Sequence, residues 1–158
     1  MQTLNTQRKA FLDMLAWSED TDKRGQPMLN CDYDVIVGGS LFTSYADHLC
    51  KLATLNPKLR STAAGRYQLL SRYWDAYRIQ LGLKYFCPAS QDAVALQQIK
   101  ERGAQPLIDK GDIRQANDRC SNIWASLPGA GYGQFENKVD NLIAVLNAAG
   151  GKVSEPTS

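Results

Sequence analysis

Tyr33-Asp34-Val35-Ile36-Val37-Gly38-Gly39-Ser40-Leu41-Phe42-Thr43 is the stretch that separates an all-helical reading of this chain from a mixed one. Val35, Ile36 and Val37 are β-branched and fit extended backbone. Gly38-Gly39 suits a two-residue hairpin turn, and Ser40 to Thr43 forms the return strand. The pattern predicts one small antiparallel sheet. A hairpin this short is not stable alone, so it has to pack beside helices.

The flanking sequence supplies them. Asn5 and Thr6 are good helix caps, and Phe11, Met14, Leu15 and Ser18 follow at helical spacing. This predicts a helix from Thr6 to Glu19, broken by Asp20, Thr21, Asp22 and Gly25. Residues 44–65 read as a long loop, with a third strand near 60–62. Leu70, Tyr73, Trp74, Tyr77 and Leu81 form a helical stripe ended by Gly82. Cys87-Pro88 opens the next helix, with proline at its favoured first position, and Gly103 ends it. Pro106–Lys110 is a short helix or turn stopped by Gly111. Asp112 caps a helix carrying Ile113, Ala116, Cys120, Ile123 and Trp124. Leu127 to Gly133 is a glycine-rich loop with one tyrosine. A last helix is expected over 134–148, and a frayed tail over 152–158. The expected class is α+β, mostly helical, with a small antiparallel sheet and a cleft between two lobes.

A chain of 158 residues is one domain, or one domain with two lobes. The net charge is +2, with both signs interspersed and no basic run beyond Lys23-Arg24, so nucleic acid is not an expected partner. No apolar run approaches the ~20 residues that span a bilayer, so membrane insertion is not expected. Met1 to Asn5 lacks a basic segment leading into an apolar run, and no secretory signal is expected. Cys31, Cys50, Cys87 and Cys120 contain no Cys-x-x-Cys pair, and His48 is the single histidine. A zinc site is therefore not expected, nor any other metal or cofactor. In a cytosolic protein these thiols are most simply reduced and structural.

With one histidine and no Gly-x-Ser-x-Gly elbow, no nucleophilic triad is expected. The glycines at 129–133 lack the lysine of a phosphate-binding loop. Carboxylate chemistry remains. In Ala16-Trp17-Ser18-Glu19-Asp20-Thr21, Glu19 falls near a helix C-terminus, where exposed carbonyls disfavour negative charge. Trp17 adds desolvation, which favours a protonated acid. The plain structural reading of Glu19 is a solvated carboxylate at a helix end. Asp20, Asp22 and Asp34 are the candidates for a second carboxylate, and none of their spacings is diagnostic.

Ser61-Thr62-Ala63-Ala64-Gly65-Arg66-Tyr67-Gln68-Leu69-Leu70 runs from a small-residue turn into a helix. Together with Trp17-Ser18-Glu19 it resembles the phage lambda-type endolysins, lysozyme-like lytic transglycosylases. The resemblance continues through Tyr33–Gly39, Leu55–Leu59, Ser90–Gly103 and Cys120–Glu136, covering nearly the whole chain. It implies one lysozyme-like catalytic domain over 1–158. It implies Glu19 as the catalytic acid and Asp34, Tyr67, Gln68 and Tyr132 as substrate-binding residues. Tyr132 would sit on a lip formed by 127–135, opposite a second lip at 50–60.

The implied activity is cleavage of peptidoglycan glycan strands by transglycosylation during host-cell lysis. The implied partners are the glycan strands and, functionally, a separate holin. A monomer is expected, held in the host cytoplasm until it reaches the periplasm at lysis. The chain departs from the family pattern at Asp20 (Gly in the family), Cys31 (His) and Ser40 (Glu). A hydrolysing lysozyme using Asp34 or Asp20, and a decayed glycan-binding relative, are the alternatives.

Overall fold

The computed structural model describes residues 4–19, 33, 53–56, 59–61, 63–124, 126–129, 131 and 136–154. In chain order its elements are α1 (Thr6–Ser18), β1 (Ala53–Asn56), β2 (Leu59–Ser61), α2 (Ser71–Leu81), α3 (Pro88–Glu101), α4 (Gln105–Lys110), α5 (Ile113–Cys120) and α6 (Val139–Ala148). Contacts divide the chain into two compact units, Met1–Ser18 with Ala95–Ser158, and Glu19–Val94.

The first unit is helical. Asn5 caps α1, its Oδ1 accepting the Arg8 N–H at 2.9 Å. The helix then buries Phe11, Leu12, Met14 and Leu15, each worth roughly 1.5–3 kcal/mol of burial. It packs on α6 and α4, α4 packs on α5, and α5 on α6. The Gln7 amide ties three segments together. Its Nε2 donates to the Ile108 and Lys152 carbonyls at 3.0 and 2.7 Å, and its Oε1 accepts the Lys152 N–H at 2.9 Å. The Ser154 N–H donates to Gly111 O at 2.9 Å. Lys152 and Ser154, expected to fray, are thus hydrogen-bonded, while 155–158 lie outside the described residues.

The second unit has a core of Ala64, Leu69, Trp74, Phe86 and Val94. Trp74 and Phe86 meet edge to face, with ring centroids 5.0 Å apart. Helix α2 stops at Gly82, whose φ of 67° closes the helix in the left-handed region.

The α+β expectation is corrected. What is described is mostly helical, and among the described residues the only sheet is one short strand pair. The only strand ladder among the described residues is the antiparallel pair β1–β2, four and three residues long, with a register irregularity between Thr54 and Asn56. It falls inside the stretch read as a loop, and β2 is the strand expected near 60–62. The expected hairpin at 34–43 lies outside the described residues, and Tyr33, which opens it, is in a turn. The physical reason is that Asn56-Pro57 reads as a breaker in sequence, and strands of four and three residues are too short to give an alternating signal. A lone two-stranded pair of this length cannot carry a layer of its own.

The last helix is also corrected, since α6 begins at Val139 rather than near 134. The residues before it are engaged elsewhere. The Glu136 carboxylate takes two loop N–H groups, the Asn137 N–H donates to Ser126 O, and Lys138 is extended at φ −74°, ψ 138°.

Candidate active site

Glu19 follows directly on the last residue of α1 and is half-buried. The helix end before it is held by side chains from far along the chain. Ser18 is buried, and its hydroxyl lies 2.7 Å from that of Ser126. The Asn137 amide donates to Ser18 O at 3.3 Å and Ser18 Oγ at 3.2 Å. Asp34 and Tyr132, named as substrate-binding from the sequence, lie outside the described residues, as do Asp20, Cys31 and Ser40.

Tyr67 and Gln68 stand together in one tight turn. Ala64 and Leu69 pair across it as an isolated antiparallel bridge, and Gln68 N–H donates to Gly65 O at 3.2 Å. Gln68 has φ of 51°, the only positive value of a non-glycine among the described residues. Such backbone costs of order 1–3 kcal/mol and persists where surroundings enforce it, often at functional positions. Here the Gln68 side chain helps, its Nε2 donating to Gly65 O at 2.9 Å.

The turn is enforced from α3. Gln91 is buried and fully satisfied. Its Oε1 accepts the Arg66 N–H at 2.9 Å, and its Nε2 donates to the Tyr33 and Phe86 carbonyls at 3.0 Å each. One turn of side chain further, Asp92 Oδ1 accepts the Tyr33 hydroxyl at 2.8 Å and the Tyr67 hydroxyl at 2.6 Å. Arg66 Nη1 donates to the Tyr67 oxygen at 3.1 Å, and its guanidinium stands 5.4 and 5.6 Å from the Tyr33 and Tyr67 ring centroids.

Electrostatics follow from this packing. Burial, then the Asp92 charge and hydrogen bond, push the Tyr33 hydroxyl up to about 12, with Arg66 opposing. Burial is also the largest influence on Tyr67, driving it well above the ordinary range against Arg66. Both phenols therefore stay protonated and act as donors to Asp92. Tyr67 is 5% exposed and its one O–H is committed, so its ring and hydroxyl brace the turn that carries Gln68.

The glycine-rich loop has its own brace. Glu136 accepts the Gly129 and Gly131 N–H groups at 2.9 Å each, and these two bonds pull its carboxyl below the ordinary range. Sequence reasoning missed Asp92, Gln91, Glu136, Ser126 and Asn137 as supports. Each acts on residues 5 to 119 positions away, and helical or loop patterning carries no signal for that. Among the described residues no group of three or more His, Cys, Asp or Glu could hold a metal ion. No described helix is long and apolar enough to cross a membrane.

A family model described as Endolysin matches residues 9–153. The chain belongs to the endolysin family. It is 75% identical, over 155 residues and 98% of both chains, to the endolysin of Escherichia phage lambda. It is 48% identical to the endolysin of Escherichia phage P2, covering 96% of this chain and 98% of that one. Among solved structures it is similar to a bacteriophage lambda lysozyme complexed with a chitohexasaccharide. That likeness has a TM-score of 0.96 at 75% identity and covers 98% of this chain and 100% of that one. A second solved structure, of lysozyme from bacteriophage lambda, matches with a TM-score of 0.92 at 73% identity and the same coverage. The fold is thus lysozyme-like and helical.

Proposed function

We propose that this chain is a single catalytic domain that cleaves the β-1,4 bond between N-acetylmuramic acid and N-acetylglucosamine in peptidoglycan, by lytic transglycosylation, during phage-driven host-cell lysis. The observation that carries the reading is the likeness, at 75% identity over nearly the full chain, to a lysozyme solved with a chitohexasaccharide. A hexamer of N-acetylglucosamine has the β-1,4-linked N-acetyl sugars of a peptidoglycan strand and lacks only the lactyl ethers.

Glu19 is the acid. Its carboxyl proton passes to the bridging oxygen, the bond from that oxygen to C1 of the muramic residue breaks, and positive charge develops at C1. The C6 hydroxyl of the same residue attacks C1, and its proton returns to the Glu19 carboxylate. The product is a 1,6-anhydro sugar, no water is consumed, and Glu19 ends as it began. One group serving as acid and then base works best with a pKa near the working pH. Attack from within the same sugar ring gains from proximity. Asp34, Tyr67, Gln68 and Tyr132 are read as substrate-binding residues, Tyr67 also holding the turn that carries Gln68. Release from the host cytoplasm by a separate holin, and action as a monomer, belong to the same reading.

Two measurements test it. Glu19→Gln should abolish clearing of purified cell walls while wall binding persists, and equal clearing by both proteins would refute the assignment. Mass spectrometry of the muropeptides should find products one water lighter than the hydrolysed sugars. Free reducing ends instead would make the enzyme a hydrolase. Binding without clearing by the unmodified chain would make it a glycan-binding relative.

A further inference from the structure

Ser18, Ser126 and Asn137 form a buried polar knot that proton transfer itself does not require. Ser18 ends α1, so its carbonyl is among the last four with no acceptor role inside the helix. It is 3% exposed, where an unpartnered carbonyl is costly. Asn137, 8% exposed, supplies the partner. Its Nδ2 donates to Ser18 O at 3.3 Å, Ser18 Oγ at 3.2 Å and Ser126 O at 3.4 Å. The two serine hydroxyls join at 2.7 Å, and the Asn137 N–H donates to Ser126 O at 2.8 Å.

The knot therefore does two things at once. The bond from Asn137 to Ser126 joins the residues that flank the glycine-rich stretch of sequence. The amide bolts that junction to the residue immediately before Glu19. The Glu136 carboxylate, adjacent to Asn137, carries the same connection outward to Gly129 and Gly131. A helix end can otherwise fray by a residue or two, and that would redirect the side chain of the next residue.

We propose that Asn137 is a positioning residue for the Glu19 carboxyl, fixing where α1 ends and hence where the Glu19 side chain starts, and tying Ser126 to the same point. The inference rests on the reading of Glu19 as the acid and base. An acid displaced by about 1 Å loses on the order of 100-fold in rate, whereas grip on the glycan strand depends on other residues. Placement therefore acts on kcat and leaves KM nearly alone.

The test is turnover of solubilised peptidoglycan strands by wild type, Asn137→Leu and Ser18→Ala, with thermal unfolding of each recorded first. Asn137→Leu keeps the bulk and removes the amide, and kcat should fall on the order of 100-fold with KM within about threefold. Ser18→Ala removes only the hydroxyl and leaves the Ser18 carbonyl in place, so a roughly fivefold loss of kcat is expected, the rate equivalent of one neutral hydrogen bond. If Asn137→Leu does not fold, Ser18→Ala decides. Values of kcat within about twofold of wild type, or a loss carried by KM alone, overturn the inference. An active wild type with an inactive Glu19→Gln and unmoved knot variants overturns it alone, whereas an active Glu19→Gln overturns the catalytic reading and this inference together.

Discussion

Replacing Gly65 by alanine should damage this protein far more than replacing Gly82, although both glycines have left-handed backbone. Gly65 has φ of 83° and Gly82 has φ of 67°. An L-residue pays roughly 1–2 kcal/mol in that region. At Gly82 nothing lies within 4 Å of an added Cβ, so that cost is the whole effect. At Gly65 the added carbon would sit 2.4 Å from Gln91 Oε1, 2.9 Å from Gln91 Cδ and 2.9 Å from Phe86 Cζ.

Gln91 cannot step aside freely, because its amide is bonded to Arg66 N–H and to the Tyr33 and Phe86 carbonyls. Moving it breaks buried hydrogen bonds, at about 1–3 kcal/mol for each group left unsatisfied. Holding it in place overpacks the core at a similar cost. The sum is roughly 2–5 kcal/mol for Gly65→Ala, against roughly 1–2 for Gly82→Ala, out of a total of about 5–15 for a typical domain. Urea unfolding followed by far-UV circular dichroism reads both, as a shift in midpoint at constant slope. Losses within about 0.5 kcal/mol of each other would refute the reasoning, because that is the ordinary scatter of independent substitutions. The close approach of Gly65 to α3 would then have no energetic content.

Three further outcomes follow from other residues. Cys87 Sγ stands 3.4 Å from Ser90 Oγ at the start of α3; burial raises its thiol, but hydrogen bonds from Ser90 and Ala89 outweigh that and lower it, whereas burial pushes Cys120 up to about 12. Iodoacetamide at mildly alkaline pH should therefore label Cys87 before Cys120, and equal labelling in the folded protein would contradict the geometry. Cys87→Ser places a better cap at the same position and should raise stability by ~1 kcal/mol, read as a higher unfolding midpoint. Tyr33, held at about 12 against an ordinary 10, favours its neutral form in the folded state. Its contribution is complete below pH ~10 and is lost as pH rises toward 12; two pKa units amount to about 2.7 kcal/mol at most, less for its partial exposure. Asp92→Leu should flatten that alkaline loss in a stability-against-pH series, and an unchanged slope would remove Asp92 from the account.

Much of the helical frame was legible because it is written in local signals. Asn5 caps α1, Pro88 opens α3, and Gly82 and Gly111 close α2 and α4, each within a residue or two of the reading. The start of α6 was misread because Glu136 and Asn137 have helical propensity enough, yet their hydrogen bonds go to Gly129, Gly131 and Ser126. The β1–β2 pair was hidden by Asn56-Pro57, where turn residues look the same whether or not the flanking strands pair. For the site, Glu19 stood out locally, beside a tryptophan and at a helix end. The residues that hold the end of α1 and the Tyr67-Gln68 turn did not, since Asn137 is 119 residues from Ser18 and Asp92 is 59 from Tyr33.

The sequence by itself determined most of the helices and the family to which the chain belongs. Those features depend on spacing, caps and motif identity, all of which are local. Only the tertiary structure decided which side chains the Tyr67 hydroxyl meets, and how the end of α1 is held. A tyrosine reads the same in sequence whether its hydroxyl faces a sugar or a carboxylate. Here the Tyr67 hydroxyl donates to Asp92 and accepts from Arg66, and the Asn137 amide gives the carbonyl before Glu19 the partner its own helix cannot supply.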